Sequence, residues 1–317
     1  MVFQAVRTRF PLRIVAGMTR TGSFAITSIS NYILDLHRFL RFFLVVSIVL
    51  AAAVLSPKTI SNPAASPEDK ANEDLSRYEY PSIKEISWQG HFVRPQDNLE
   101  RLFGKEWLVA ARFNRIDRRH VYPGMTIKVP TDIKDIISYT PMPAQYEKAK
   151  KHSKYILLNI TEQWIGAYEY GKLVFSMPAA TGMEGHLTPV GMFSINAYHR
   201  NHTSSLYKTA KGTQQYPMDY ALLFHIDKEQ VSYWLHARDL PGRPASHGCV
   251  GLSDENMQLR TYGVPENPIV NDAKKLYAWT IGEELFNADN GSPQRLADET
   301  PLEIFGNLPK KLAKSRQ

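Results

Sequence analysis

The chain holds a single cysteine, and its neighbours are residue types that make a thiol reactive. Cys249 stands in "ASHGCVGL", residues 245–252, with His247 two places before it and Gly248 and Gly251 on either side. A second histidine, His236, ends the alternating stretch "VSYWLHAR" upstream. A thiol near neutral pH is mostly protonated, and an imidazole within reach can take that proton and leave a nucleophile. The glycines allow a tight turn whose backbone N–H groups converge on one point, as an oxyanion requires. Three other readings compete with a nucleophile: an inert buried cysteine, a redox-signalling thiol, and a zinc site built from His225, His236, His247 and Cys249. The zinc site has no His-Glu-x-x-His or Cys-x-x-Cys spacing behind it. One cysteine excludes an intramolecular disulfide, and in an exported protein it leaves no partner to trap the thiol.

Elements that could position these groups are legible on both sides. "KYILLNITEQWIGAYEYGKLVFSMPAATG" alternates apolar and polar residues around turns at Thr161-Glu162 and Tyr170-Gly171, which predicts a three-stranded antiparallel meander. "TPVGMFSINAYH" adds a turn at Pro189/Gly191 and a strand. "YALLFHID" and "VSYWLHAR" predict a strand pair across 227–230, and "HRNHTSSLY", 199–207, is placed to form a lid. "SDENMQLRTYGV" and "DAKKLYAWTI" read as helices, and "ETPLEIFG" returns as a strand. "GVPENPIVNDAKKLYAWT" reads as an insertion that covers the cleft or decorates it.

Residues 88–132 form a second, smaller unit. "FVRPQDN" leads from a short strand to a helix capped by Asp97 or Asn98, with Leu99, Leu102 and Phe103 on one face and Gly104 closing it. "WLVAARFN" predicts a second helix, and "YPGMTIKVP" a turn and strand. This βααβ order resembles the LysM domain, on the strength of its closing "PGMTIKVP". Its turn, Gln96-Asp97-Asn98-Leu99, departs from the usual Gly-Asp-Thr-Leu. The resemblance implies binding to N-acetylglucosamine-containing glycans of peptidoglycan. A plain structural spacer is the alternative.

The N-terminus argues for export. Phe42–Leu55 carries no charge and one hydroxyl, Ser47. Arg7, Arg9, Arg13, Arg20, Arg38 and Arg41 precede it, against one acid, Asp35. A basic n-region and a short apolar segment predict a cleaved signal or an uncleaved anchor, with the rest of the chain outside. Met18 is an alternative start. Residues 56–80 read as a flexible linker and 307–317 as a loose basic tail.

With 317 residues, 43% of them hydrophobic, the chain can build two folded units. The net charge of +7 favours anionic partners such as membrane lipid or a wall polymer. No dense Lys/Arg run supports nucleic-acid binding.

The catalytic region, 153–306, carries a more specific resemblance. "YILLNITEQWIGAYEYGKLVFSMPAATG", "TPVGMFSI", His236 and "SHGCVGL" follow in the order seen in YkuD-type L,D-transpeptidases, with Gln163, Gly182, Thr188, Pro189, Gly191, Ser246, Gly248 and Cys249 on the pattern. The resemblance implies that Cys249, activated by His236, attacks the L-centre of meso-diaminopimelate in a stem tetrapeptide. D-Alanine leaves, and the thioester passes to an amine, giving a 3→3 crosslink or protein attachment. It implies that His247 orients the site, Ser246 shapes the turn, and Gly248 and Cys249 N–H groups hold the oxyanion. Thr188, Pro189 and Gly191 fall to substrate. Ala237 and Gly251 depart from the pattern, which usually has Gly or Ser, and Arg or Asn. A backbone carbonyl would then orient the imidazole, and Arg238 or Arg243 would either supply the missing cation for a substrate carboxylate or stand as solvated loop charges. An L,D-carboxypeptidase using water and a non-catalytic peptidoglycan-binding protein are the alternatives.

The expected fold is mainly β: a sandwich- or barrel-like catalytic domain with short helices, preceded by the βααβ unit and the membrane or signal segment. The expected protein is a monomer without cofactor or metal, in the periplasm or on the outer face of the inner membrane.

Overall fold

Alternation of apolar side chains governs the architecture. The computed structural model describes residues 73–209 and 212–312, within the compact unit Thr59–Gln317. The expected membrane or signal segment and residues 56–72 lie outside the described residues. Among the described residues no helix is long and apolar enough to cross a membrane.

The first strand, β1 (Trp88–Phe92), pairs antiparallel with β2 (Thr126–Pro130). Between them lie α1 (Leu99–Phe103) and α2 (Trp107–Phe113). Asn98 caps α1 by accepting from the Arg101 N–H at 2.8 Å, while Asp97 accepts from the Arg94 N–H and pairs with His91. Asn114 ends α2 and stitches it to β2, donating to the Lys128 carbonyl and accepting from its N–H.

Eight strands then form one curled sheet. β3 (Tyr155–Asn159), β4 (Trp164–Glu169) and β5 (Lys172–Pro178) are the expected antiparallel meander. β6 (Gly191–His199), β9 (Ala221–Ile226), β10 (Ser232–Arg238), β11 (Val250–Ser253) and β12 (Gln294–Phe305) complete the order β11-β10-β9-β6-β12-β3-β4-β5. An antiparallel bridge between Ala180, just past β5, and Gly251 in β11 draws the two ends together, so the sheet nearly closes into a barrel. β7 (Thr203–Lys208) and β8 (Gln215–Pro217) form a separate hairpin.

Alternate residues of the sheet meet in one core. Ile156, Leu158, Ile165, Leu222, Leu235, Ala237, Val250 and Leu252 join Met257 of α3 (Glu255–Tyr262) and Leu276 and Tyr277 of α4 (Asp272–Ile281). A last short helix, α5 (Glu283–Ala288), leads towards β12. Each buried leucine, isoleucine, valine or methionine among them is worth about 1.5–3 kcal/mol relative to exposure. The other faces of β3 and β4 are buried too, with Tyr155, Leu157, Trp164 and Tyr168 packing against Met142 and Ala149.

Two expectations of looseness need correction. Residues 73–80, assigned to the linker, are packed: Leu75 and Tyr80 are fully buried. The stretch "NEDLSRYEY" is polar on average, but its few large residues are the ones that anchor it. The first part of the tail is also tied down, with Tyr78 bridging Lys311 and the Leu312 N–H donating to the Arg77 carbonyl.

Candidate active site

β10 and β11 run parallel and adjacent, with Leu235 opposite Val250 and His236 opposite Gly251. Strand alternation then sorts their side chains. Leu235, Ala237, Val250 and Leu252 enter the core. Ser232, Trp234, His236 and Arg238 face the other way and, with His247 and Cys249, line a cavity of about 310 Å³. The β7–β8 hairpin and its flank supply the opposite wall through Ser204, Leu206, Tyr207, Tyr216 and Met218. The expected lid segment therefore does border the cavity. The insertion at 263–280 does not: Asn267 instead meets Arg118 beside the small βααβ unit.

His236 is buried, and its Nδ1 lies 2.8 Å from the Ala237 carbonyl oxygen. That oxygen can only accept, so Nδ1 carries the proton and Nε2 keeps its lone pair. Burial pulls the imidazole pKa down to about 3; the Ala237 bond opposes this, and Arg238 and His202 add to it. Burial also pushes the Cys249 thiol above its usual range, against a backbone hydrogen bond and the Arg238 guanidinium. The Cys249 Sγ lies 4.0 Å from the Ser232 carbonyl. Both shifts favour the neutral thiol and the neutral imidazole over a thiolate–imidazolium pair.

The turn carrying Cys249 is fixed from within. The Ser246 hydroxyl, fully buried, donates to the Cys249 carbonyl at 2.5 Å and accepts from the Gly248 N–H at 3.1 Å. This alters the oxyanion expectation, because the Gly248 N–H is spent on the turn. Gly248 sits at φ +111°, and a Cβ there would lie 2.6 Å from the Tyr233 ring, so only glycine fits. His247 stands between two rings, stacked on Tyr207 and edge-on to His186, each at 4.5 Å between centroids. Burial, His186 and Arg238 lower its pKa to about 4.

The expected substrate residues divide. Thr188 is buried and does not line the cavity; its hydroxyl accepts from the Gly182 N–H and donates to the Gly248 carbonyl. Pro189 and Gly191 lie beside it, also outside the cavity lining. Thr188 belongs to the frame of the turn, while Gly191 opens β6 opposite Ile304. Gln163 has a comparable place, joining the Ile160 carbonyl to both the N–H and hydroxyl of Thr181. Arg243 is paired with Glu73 at 3.0 Å and is not a lining residue. Arg238 does line the cavity, donating to the Ala245 carbonyl at 2.7 Å. A Cβ at Gly251 would lie 2.5 Å from the Arg238 Cδ, so glycine after the cysteine leaves room for an arginine from the next strand. His225 packs on Phe193 and Tyr233 instead of joining a metal set.

Residues 153–286 match the family model of the YkuD L,D-transpeptidase catalytic domain. This segment is a YkuD catalytic domain. No curated protein matches the chain. Among solved structures, an L,D-transpeptidase from Stackebrandtia nassauensis is 23% identical, covering 50% of this chain and 58% of that one, with a TM-score of 0.32. One from Xylanimonas cellulosilytica is 18% identical over 62% and 78%, at 0.35. L,D-transpeptidase 1 of Mycobacterium tuberculosis is 18% identical over 49% and 62%, at 0.29. The match thus spans little more than half of the first of these chains.

Sequence reasoning did not single out Trp234, Ser232 or Tyr216 in the YkuD site. The signal for the first two was present, since Ser232, Trp234, His236 and Arg238 recur every second residue on one strand face. Tyr216 had none, because it reaches the cavity from a separate hairpin.

Proposed function

We propose that the chain is a cysteine-dependent L,D-transpeptidase acting on peptidoglycan stem peptides. The observation that carries this reading is the shared cavity of Cys249 and His236, with the imidazole Nδ1 held on a backbone carbonyl. His236 Nε2 takes the thiol proton as Sγ bonds to the carbonyl carbon at the L-centre of diaminopimelate. The tetrahedral oxyanion is met by the Cys249 N–H, the member of the expected pair not spent on the turn. The C–N bond to D-alanine breaks, and the proton passes from His236 to the leaving amine. An acceptor amine then attacks the thioester, its proton returns through His236 to sulfur, and a 3→3 crosslink or a protein attachment results. A neutral resting pair suits this order, because the base must be unprotonated before substrate arrives.

The same reading entails a catalytic domain outside the cytoplasmic membrane, where peptidoglycan lies, with the arginine-flanked segment 42–55 as signal or anchor. Glycan binding by residues 88–132 is part of it. Even weak binding there would raise the local concentration of stem peptide.

The test is incubation of the full chain and its Cys249→Ala variant with purified disaccharide-tetrapeptide, with products read by mass spectrometry. A Cys249-dependent dimer lacking one D-alanine is expected. A tripeptide monomer without dimer would make the enzyme a carboxypeptidase. Unchanged substrate from folded protein would sink the enzymatic reading.

A further inference from the structure

The connection from His236 to Cys249 poses a physical problem. Parallel neighbouring strands are usually joined by a crossover of a dozen or more residues, most often a helix that satisfies its own backbone groups. Here residues 239–249 make the crossing without a helix. Their N–H and carbonyl groups must find partners elsewhere.

The second half finds them in the segment before β6. The N–H groups of Ala245 and Ser246 both donate to the Thr181 carbonyl at 3.0 Å, and the Met183 N–H donates to the Ser246 carbonyl. The first half finds them in the small βααβ unit, at the bend after α2. The Asp117 N–H donates to the Leu240 carbonyl at 2.9 Å, and its Oδ2 accepts from the Leu240 N–H at 2.7 Å. The Gly242 N–H donates to the Arg115 carbonyl at 3.0 Å, and Ile116 bridges Pro241. Arg119 pairs with Asp239, and the Tyr80 hydroxyl donates to the Gly242 carbonyl. Gly242 sits at φ +82°, where a Cβ would collide with Leu75 at 2.4 Å.

The clamp itself is braced. Asp117 is 5% exposed, and its other oxygen accepts from the His120 N–H at 3.0 Å and meets the His120 ring at 2.8 Å. Gln258 of α3 donates to Oδ2 at 2.9 Å. Burial opposes the carboxylate charge, but His120, the Leu240 N–H and Arg119 outweigh it and hold Asp117 below the usual carboxylate range. Alongside, the buried Arg115 guanidinium pairs with Glu162 of the catalytic domain at 2.9 Å, and Arg118 pairs with Glu255 at 2.7 Å.

We infer that residues 115–119 of the small unit are positioning residues for the reaction, holding the 239–243 crossing so that Cys249 stays seated beside His236. Asp117 is the central one. The inference rests on the proposed Cys249–His236 chemistry for its rate effect, but not for its effect on the thiol. The small unit is then a working part of the catalytic domain, whatever glycan it also holds.

The experiment compares the full chain with Asp117→Ala and with Leu158→Ala, a core truncation on β3, outside the crossing. Leu158→Ala should cost about 2–5 kcal/mol, enough to match or exceed the stability loss of the clamp variant. Both are assayed below their melting temperatures. Asp117→Ala should lower kcat about ten- to a hundredfold with KM within about twofold, since displacement of a reacting group by about 1 Å costs on this order. Its Cys249 should be alkylated by iodoacetamide at lower pH than in the parent, because a thiol released from its half-buried seat titrates nearer its ordinary range. Slower turnover with a more reactive thiol is a pair of signs that plain destabilisation does not produce. Leu158→Ala should keep the parental kcat and alkylation profile. The inference fails if Asp117→Ala keeps both parental values, or if Leu158→Ala reproduces its changes. If the parent makes no Cys249-dependent product yet the alkylation shift appears, the clamp stands and the proposed chemistry falls.

Discussion

The two walls of the cavity are built on different terms. The wall bearing His236 is a strand next to the end of the sheet order, paired on both sides and backed by Leu235 and Ala237 in the core. The wall bearing Tyr207 is a two-stranded hairpin that pairs only with itself among the described strands. Such a hairpin is marginal alone and depends on side-chain packing for its place. The division suits the work. Under the proposed function, proton transfer and nucleophilic attack tolerate little displacement, whereas a wall that would receive a peptide gains from being able to adjust.

The contrast is open to attack from the rigid side first. His236→Gln should cut crosslinking about 10²–10⁴-fold with little change in KM, read by steady-state product formation. A drop of under tenfold would shift the proton work to another group and remove the reason for a rigid wall. Next comes the thiol's pH dependence. Because burial raises the Cys249 pKa, iodoacetamide alkylation should climb about tenfold per pH unit through pH 7–9 and level off only above the ordinary thiol range. A plateau already at pH 7 would reveal a preformed thiolate. Gly248→Ala should cost about 1–3 kcal/mol through a strained φ and contact with Tyr233, read as a fall in Tm of roughly 2–4 °C per kcal/mol. The smallest effect belongs to the adjustable wall. Tyr207→Ala, losing its stack on His247, should raise KM about two- to tenfold and leave kcat within about twofold. Equal losses in kcat would make that wall part of the chemistry and dissolve the distinction.

The same contrast tracks what could be read from sequence. Strand alternation in "VSYWLHAR" and the glycine-rich "SHGCVGL" are local patterns, and they located the thiol, the imidazole and their strand before any coordinates. The meander and the two longer helices were equally local. What escaped was set by partners far along the chain. Arg243 looked available for a carboxylate until Glu73 was found against it. Thr188 looked like a substrate residue because it sits in a motif, but its hydroxyl bridges Gly182 and Gly248. Asp117 stands in the polar stretch "RIDRRH", and nothing around it announces Leu240. Residues 73–80 looked like tether because composition averages over the few side chains that anchor them.

The neutral resting pair has one more consequence. Oxidants such as peroxide attack thiolates far faster than thiols, carrying cysteine towards sulfenic and then irreversible sulfinic acid. An enzyme that stored its nucleophile as a thiolate would expose it to that damage between turnovers. On the proposed mechanism, a proton kept on sulfur until His236 removes it would confine the most vulnerable state to the moments when an acyl group is there to be attacked. The seat that slows the free thiol is thus also its protection.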